Sequence, residues 1–208
     1  MSSRRQVLKQ LVAMGALAGL SALPRAQAAT PEAKARAVGR YHMPDEAGPQ
    51  ARVWVAFGAS RDIWGRNYKD VQATIGRLVQ AMAPHTEVNV LCREEEEDLA
   101  RQLCGEGSTR FIHAELDDIW LRDTGGVFVR NGEGELGLVD FNFNGWGDKQ
   151  EHEQDGGVAE WVSTQADAHY LQSRLTGEGG GIEVDGKGTA IMTESCWLNG
   201  NRNPGLTK

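Results

Sequence analysis

Residues 117–129 read DDIWLRDTGGVFV: three aspartates, a tryptophan and an arginine within seven residues, then a glycine pair and an apolar, β-prone run. Aspartate favours caps and turns over helix interiors, so this stretch predicts a loop that leads into a strand. Such loops on a rigid scaffold commonly display binding groups. A carboxylate accepts paired N–H bonds and an indole face attracts positive charge, so the composition suits a flat organic cation. A solvated acidic turn with a buried tryptophan is the alternative interpretation.

The beginning of the chain has the features of an export signal. Arg4 and Arg5 precede a moderately apolar run over residues 11–23, and residues 26–28 read AQA, a small-x-small cleavage site. The paired arginines predict twin-arginine export of residues 1–28 and a periplasmic or secreted protein. An N-terminal anchoring or core helix is the alternative. Residues 29–40 predict a flexible leader, and residues 41–208 a single folded domain.

The charge balance limits the partners of this chain. It has 22 Lys+Arg against 29 Asp+Glu and a formal net charge of −7. Four of the basic residues but none of the acidic ones precede residue 29, so the remainder is more acidic still. We therefore expect no nucleic-acid partner and, after signal removal, no membrane partner, whereas a small cation would be attracted. The charge balance does not decide whether the protein forms a homo-oligomer.

Patterns of hydrophobic residues predict a mixed α/β domain with helices packed outside. The three cysteines, Cys92, Cys104 and Cys196, lack zinc spacing and an even count, which favours free buried thiols over a Cys92–Cys104 disulfide. A helix that follows the one predicted over 71–82 should begin at the acidic run 94–97 and bury Leu99 and Leu103 on its apolar face. The predicted elements are strands over 52–57, 87–92 and 110–114, helices over 71–82 and 158–171, and hairpins 127–130 with 136–143 and 181–184 with 189–193.

The glycine run over residues 177–181 reads GEGGG. No GK[ST] follows it and no helix is predicted after it, so a phosphate-binding loop is rejected. Glycines around one glutamate instead allow close backbone packing while the Glu178 side chain projects. A flexible glycine turn with a surface glutamate is the alternative.

Five segments resemble, in the correct order, the agmatine deiminase family, which includes the bacterial peptidylarginine-deiminase-like proteins. They are MPDEAGP (43–49), LDDIWLRDTG (116–125), DFNFNGWG (140–147), GEGGGIEVDGKGT (177–189) and TESCWLNGNRNP (193–204). The resemblance extends from residue 41 to the last residue. It implies an α/β pentein fold, a fan of α/β repeats around a central pocket, present here as an incomplete pentein with its C-terminal repeats missing.

The resemblance also implies hydrolysis of a guanidinium to a urea with release of ammonia. The reaction would convert agmatine to N-carbamoylputrescine, linked to putrescine and polyamine metabolism, or peptidyl-arginine to citrulline. Carried over by motif, Asp123 and Glu178 would be the catalytic carboxylates that hold the guanidinium, and Trp120 would pack against it. Asp117 and Arg202 are further substrate-binding candidates. No metal and no organic cofactor is implied.

Neighbours of these residues have expected roles as well. Asp118 shares the positioning role considered for Asp117, and Arg122 should pair with a carboxylate to fix its loop. Asn201 and Asn203, which flank Arg202, should line the pocket rim or cap a strand end.

The chain also departs from the family pattern. It ends at NPGLTK where the family continues, and the family's HxD histidine with its acid and its C-terminal cysteine have no match here. We therefore expect these 208 residues to be inactive alone. Cys196 lies in the family's TESC strand motif and is interpreted as a buried thiol. Gly126, Asp148 and Ala47 are smaller departures, in place of Pro, Gly and Trp.

Two other classes of function remain at this point. One is a non-catalytic protein that binds guanidinium or polyamine. The other is a metal-dependent hydrolase that uses Asp117, Asp118 and Asp123, although no HExxH or comparable ligand pattern supports it.

Overall fold

The computed structural model describes residues 41–208, so the predicted export signal and leader lie outside the described residues. The described chain forms two compact units. The first unit comprises residues 49–121 and 151–158, and the second unit comprises residues 41–48, 122–150 and 159–208. Within the described residues, no helix has the length and apolarity needed to cross a membrane. The predicted domain boundaries stay predictions.

The strands and helices follow one another in mixed order. The strands are β1 (Tyr41–His42), β2 (Arg52–Ala56), β3 (Glu87–Cys92), β4 (Thr109–His113), β5 (Val127–Asn131), β6 (Leu136–Asp140), β7 (His169–Gln172), β8 (Ile182–Val184) and β9 (Ala190–Met192). The helices are α1 (Arg61–Trp64), α2 (Tyr68–Met82), α3 (Glu97–Cys104), α4 (Leu121–Thr124), α5 (Val158–Gln165) and α6 (Glu194–Trp197).

The first unit is built on a parallel three-stranded sheet in the order β2-β3-β4. Every residue of the central strand β3 after Glu87 is buried. Strands of a parallel sheet are covered on both faces, so they consist of continuous rather than alternating apolar residues. The core of this unit includes Phe57, Val79, Val88, Val90, Cys92 and Cys104.

Helices α2 and α3 pack closely because of one glycine. A Cβ added at Gly76 would lie 2.6 Å from the carbonyl oxygen of Leu103, so only glycine fits there. Helix α2 ends at Met82, before Pro84, as its apolar spacing predicts. For the apolar face of α3, the prediction is confirmed for Leu103, which packs against the core, and wrong for Leu99, which is 38% exposed. Ala100 and Cys104 occupy the buried face instead.

The predicted cysteine state is confirmed in the first unit. Cys92 and Cys104 are free and buried. Burial is the main cause that raises the pKa of each thiol to about 11, so both stay protonated at neutral pH.

The second unit contains a four-stranded sheet in the order β1-β5-β6-β7. Strands β5 and β6 form the predicted hairpin, and β8 and β9 form the other. The core beside the second hairpin centres on Trp197, with Leu175 and Ile182 buried against it.

Two sequence predictions in the second unit are wrong. The helix predicted over 158–171 ends at Gln165, because Asp167 adopts a left-handed φ of 52° and the chain then enters β7, which pairs with β6. Cys196 lies on the short helix α6 and not on a strand. It is half-buried rather than buried, which modifies the buried-thiol interpretation.

Candidate functional site

Asp123 lies on the short helix α4 and is held from two directions within the second unit. The backbone N–H of Gly180 donates to its Oδ1 at 3.1 Å. The indole N–H of Trp146 donates to its Oδ2 at 3.0 Å. A carboxylate oxygen has two lone pairs, so each oxygen of Asp123 can accept one further hydrogen bond.

The glycine run before β8 packs against the segment that carries Asp123. A Cβ at Gly180 would lie 2.4 Å from Oδ1 of Asp123, and a Cβ at Gly179 would lie 2.6 Å from the carbonyl oxygen of Arg122. Both distances are below any normal contact, so a side chain at residue 179 would collide with backbone and one at residue 180 would displace the Asp123 carboxylate. The prediction that glycines allow close backbone packing at this point is confirmed.

Glu178 precedes these glycines and is buried, with 3% of its surface exposed. Its Oε1 accepts a hydrogen bond from Nε of Arg202 at 2.8 Å, and both side chains are almost fully buried. Its Oε2 is buried and has no hydrogen-bond partner among residues 41–208. A buried carboxylate oxygen without a donor is costly, which makes this atom a candidate contact for a cationic ligand.

The residues after α6 support Glu178 from the other side. Nη1 of Arg202 donates to the side chain of Asn201 at 3.0 Å. Asn203 accepts from the backbone N–H of Thr176 at 2.9 Å and donates to its carbonyl at 2.7 Å. Asn203 therefore fixes the backbone two residues before Glu178, and Arg202 is the counter-ion of Glu178. The sequence analysis did not predict this ion pair. The only indication in the sequence was Arg202 itself, because a buried arginine needs an anionic partner.

The DFNFNGWG segment makes a tight left-handed turn over Gly145–Asp148. Trp146 has φ 58° and ψ 34°, and Gly147 has φ 85° and ψ 53°. The turn closes where the side chain of Asn144 accepts from the backbone N–H of Gly147 at 2.9 Å. A left-handed conformation costs a bulky side chain about 1–3 kcal/mol, so the surrounding contacts must hold Trp146 in place.

Arg122 pairs with carboxylates, as its sequence context predicted. It forms an ion pair with Glu46 and a second one with Glu183 at 3.4 Å, all in the second unit. These pairs are exposed, so they orient the loop more than they stabilise the fold.

Asp118 and Trp120 lie in the first unit together with Trp64. Asp118 is 1% exposed and accepts from both indole N–H groups, that of Trp64 at 2.6 Å and that of Trp120 at 2.8 Å. The two indole rings stack with centroids 6.1 Å apart, and Trp120 remains 43% exposed. Trp120 therefore presents a fixed, partly open aromatic face, which suits its predicted contact with a flat cation.

Asp117 is tied to Asp155 by reciprocal hydrogen bonds within the first unit. Oδ2 of Asp117 accepts from the backbone N–H groups of Gln154 and Asp155 at 2.7 and 3.0 Å. Oδ1 of Asp155 accepts in return from the backbone N–H of Asp117 at 2.9 Å. These bonds tie residue 117 to residues 154 and 155, and both the positioning role and the substrate contact of Asp117 stay predictions.

Arg93 fixes the same loop through carbonyl groups. Its guanidinium donates to the carbonyl oxygens of Leu116 at 2.7 Å, Gly58 at 3.0 Å and Asp117 at 3.3 Å. It also forms an ion pair with Glu96 at 3.0 Å. One half-buried cation thereby joins the ends of β2, β3 and β4 at the start of the DDIW segment.

Asp155 leads to a pH-dependent prediction. Burial, the main cause, raises the pKa of its carboxyl from 3.8 to about 6, although the backbone N–H of Asp117 opposes this. Between these values the folded chain keeps a proton that the unfolded chain loses, so the free energy of unfolding falls as pH rises. Asp155→Asn cannot ionise. We expect the free energy of unfolding of the variant, measured in urea, to increase relative to that of the wild type by roughly 2–3 kcal/mol between pH 4 and pH 7.

Asp185→Asn serves as the control for this measurement. The backbone N–H of Lys187, and then that of Thr189, lowers the pKa of Asp185, so this variant should lose stability relative to the wild type as pH rises. Stability curves of wild type and Asp155→Asn that run parallel from pH 4 to pH 7 would contradict the prediction.

The sequence-predicted residues thus divide between the two units. Asp123, Glu178 and Arg202 belong to the second unit, and Asp117 and Trp120 belong to the first. In residues 41–208, no group of three or more His, Cys, Asp or Glu side chains is arranged to hold a metal ion.

Solved structures with this fold include agmatine deiminases. The agmatine deiminase of Enterococcus faecalis matches with a TM-score of 0.76 and 31% sequence identity, over 82% of this chain and 48% of that one. A C. jejuni agmatine deiminase with substrate bound matches with a TM-score of 0.72 over 81% of this chain and 50% of that one. Its 22% identity supports the fold alone. The described residues therefore have the α/β fold of a partial pentein, which confirms the predicted fold class.

Sequence relatives agree with the structures. The model of the Porphyromonas-type peptidyl-arginine deiminases matches residues 42–208. An agmatine deiminase of Pseudomonas putida is 37% identical, over 81% of this chain and 47% of the relative, and one of Stutzerimonas stutzeri is 36% identical over the same shares. The chain belongs to this family of agmatine and peptidyl-arginine deiminases. It spans about half the length of the curated relatives it matches.

Proposed function

We propose that this chain provides the guanidinium-holding part of a deiminase that acts on agmatine or a related guanidine. One observation carries the proposal: the second unit brings Asp123 to the glycine loop that follows Glu178, and both carboxylates keep hydrogen-bonding capacity. Gly180, two residues after Glu178, donates to Asp123 at 3.1 Å. Oε2 of Glu178 accepts no hydrogen bond from the part of the chain that the structure describes.

A guanidinium would supply the hydrogen-bond donors that the carboxylates of Asp123 and Glu178 still lack. A guanidinium stays protonated at physiological pH and offers N–H donors in a flat, fixed fork. One such donor would satisfy the buried Oε2 of Glu178, and others would use the remaining lone pairs of Asp123. Arg202 offsets the charge of Glu178, so Asp123, Glu178 and Arg202 together carry one net negative charge, opposite in sign to the guanidinium that they would bind.

The carboxylates also suit the reaction proposed for the whole protein. In the net reaction, water and the guanidinium give a urea and ammonia: one C–N bond breaks and one C–O bond forms at the guanidinium carbon. Carboxylates on the N–H edges hold the plane and stabilise the charge as the carbon becomes tetrahedral. Substrate positioning is therefore the role we propose for Asp123 and Glu178.

The nucleophile is a separate question. Deiminases of this family are expected to attack through a thiolate, which needs a depressed thiol pKa. Cys92 and Cys104 have the opposite property, because burial raises the pKa of each to about 11. We propose that these two cysteines are structural. Neither of them would be the thiolate that attacks the substrate.

Titration calorimetry of the 208-residue chain with agmatine tests this proposal. We expect the wild type to bind agmatine and Asp123→Asn to bind it about ten- to a hundredfold more weakly, the effect of removing a hydrogen bond to a charged group. The asparagine keeps an oxygen for Gly180 and has nearly the same shape, but it turns an amide N–H₂ toward the indole N–H of Trp146.

A matched variant and a second ligand complete the experiment. Asp185→Asn changes an aspartate that also accepts backbone N–H groups, those of Lys187 and Thr189, and it should bind agmatine like the wild type. Putrescine has amines but no guanidinium and should bind much more weakly. Equal binding of putrescine and agmatine, or an unchanged affinity in Asp123→Asn, would reject the proposed site.

A further inference from the structure

We infer that Trp146 is a positioning residue for Asp123: its indole N–H sets the orientation in which that carboxylate receives a guanidinium. The inference rests on the proposed function. Trp146 Nε1 donates to Oδ2 of Asp123 at 3.0 Å, and the backbone N–H of Gly180 donates to Oδ1 at 3.1 Å. With one donor on each oxygen, the carboxylate cannot rotate about its terminal bond without losing a hydrogen bond.

The backbone at Trp146 indicates that this contact is built into the fold. Its φ of 58° lies in the left-handed region, and Asp148 has a φ of 57°. Residues with bulky side chains rarely adopt this region, and strain of this kind is found where the surroundings force it. An ordinary right-handed turn at this point would direct the indole elsewhere.

Three contacts hold the turn in its strained form. The side chain of Asn144 accepts from the backbone N–H of Gly147 at 2.9 Å. The ring of Phe143 meets that of Trp146 edge to face with centroids 4.9 Å apart. A Cβ at Gly147 would lie 2.1 Å from the side chain of Asn201, so the turn packs closely on the residue before Arg202.

An indole is well suited to this role. Its nitrogen is a donor only, so it can approach a carboxylate but cannot compete with it for the N–H groups of a cation. It has one fixed N–H direction on a large rigid ring, which the edge contact with Phe143 orients. Each oxygen of Asp123 keeps one lone pair, so the same contact that aligns the carboxylate leaves room for the ligand.

The indole N–H signals in a ¹H–¹⁵N spectrum test the contact directly. The chain has six tryptophans, and the signal that disappears in Trp146→Phe identifies Trp146. Asp123→Asn should shift this signal, because it removes the charged acceptor. Asp118→Asn is the matched control: it should shift the signals of Trp64 and Trp120, whose indoles it binds, and leave the Trp146 signal in place. An unmoved Trp146 signal in Asp123→Asn overturns the inference.

Agmatine affinity tests the positioning role. Trp146→Phe keeps an aromatic ring but removes the donor, and it should weaken binding about tenfold, as for one hydrogen bond to a charged group. Trp161→Phe, on a residue that is 40% exposed, should leave the affinity unchanged. Thermal unfolding of both variants shows whether each remains folded.

The outcomes separate the inference from the proposed function. If wild type and Trp146→Phe bind agmatine with equal affinity, the positioning role is wrong while guanidinium binding stands. If the wild type does not bind agmatine, the proposed function fails, and the ¹H–¹⁵N shift in Asp123→Asn still decides whether Trp146 holds that carboxylate. If Trp146→Phe does not fold, triple-resonance spectra of the wild type assign the Trp146 signal instead, and its shift in Asp123→Asn decides the inference.

Discussion

Replacing Glu178 with glutamine is expected to weaken agmatine binding by roughly a hundredfold or more, the loss seen when one member of a buried charge pair is removed. Two effects act in the same direction. The variant loses the carboxylate that would face the guanidinium, and it leaves the buried cation of Arg202 without its counter-ion. An uncompensated arginine then repels a cationic ligand. Titration calorimetry on the 208-residue chain measures the change.

Stability must be separated from binding in this experiment. Glu178→Gln also costs about 3–5 kcal/mol of folding free energy, because it leaves an unpaired buried charge. The double variant Glu178→Gln, Arg202→Met removes both charges and should recover much of that stability, since an apolar pair can replace a buried ion pair. It should not recover agmatine binding. Wild-type affinity in the single or the double variant would show that Glu178 does not hold the ligand.

Replacing Trp197 with alanine is expected to lower the free energy of unfolding by about 3–5 kcal/mol, the usual cost of deleting a buried aromatic side chain and leaving a cavity. Trp197 is 2% exposed and packs on Leu175 and Ile182. Its indole N–H donates to the carbonyl oxygen of Gly181 at 3.1 Å, and a Cβ at Gly177 would lie 2.6 Å from its ring. The glycine loop around Glu178 thus lies directly on this side chain.

Urea unfolding followed by far-ultraviolet circular dichroism measures this loss without depending on tryptophan fluorescence. Trp161→Ala is the control, because Trp161 is 40% exposed and should cost less than about 1 kcal/mol. Agmatine binding should also weaken in Trp197→Ala, since the loop loses its support. Equal stability losses in the two variants would mean that burial of Trp197 does not hold the loop.

Much of the local structure follows from hydrophobic patterning. The apolar run of β3 and the helical spacing before Pro84 predicted elements that the structure places at Glu87–Cys92 and Tyr68–Met82. The errors have local causes. The helix predicted through residue 171 stops at Gln165, because pairing of β7 with β6 overrides a weak helical pattern. Leu99 was assigned to the buried face of α3, but residues four apart share one face of a helix, and the buried pair at that spacing is Ala100 and Cys104.

The candidate site was found from ordered motifs rather than from periodicity. Those motifs predicted Asp123 and Glu178 but none of their protein partners. The donors on Asp123 come from residues 23 and 57 positions away, Trp146 and Gly180, and the counter-ion of Glu178 comes from 24 positions away. Contacts between residues this far apart in the sequence cannot be predicted from their spacing, because loops of very different lengths can bring their ends together at small extra entropic cost.

The sequence by itself determined which elements form, which family the chain resembles and which side chains can bind a cation, because these depend on residue type and short-range order. Only the tertiary structure decided which polar groups meet. It placed the indole of Trp146 on one oxygen of Asp123 and the guanidinium of Arg202 on one oxygen of Glu178. Within the described residues, it placed no donor on the other oxygen of Glu178. The physical reason is that a buried polar atom must find its partner in space, and burial is a property of the packed chain.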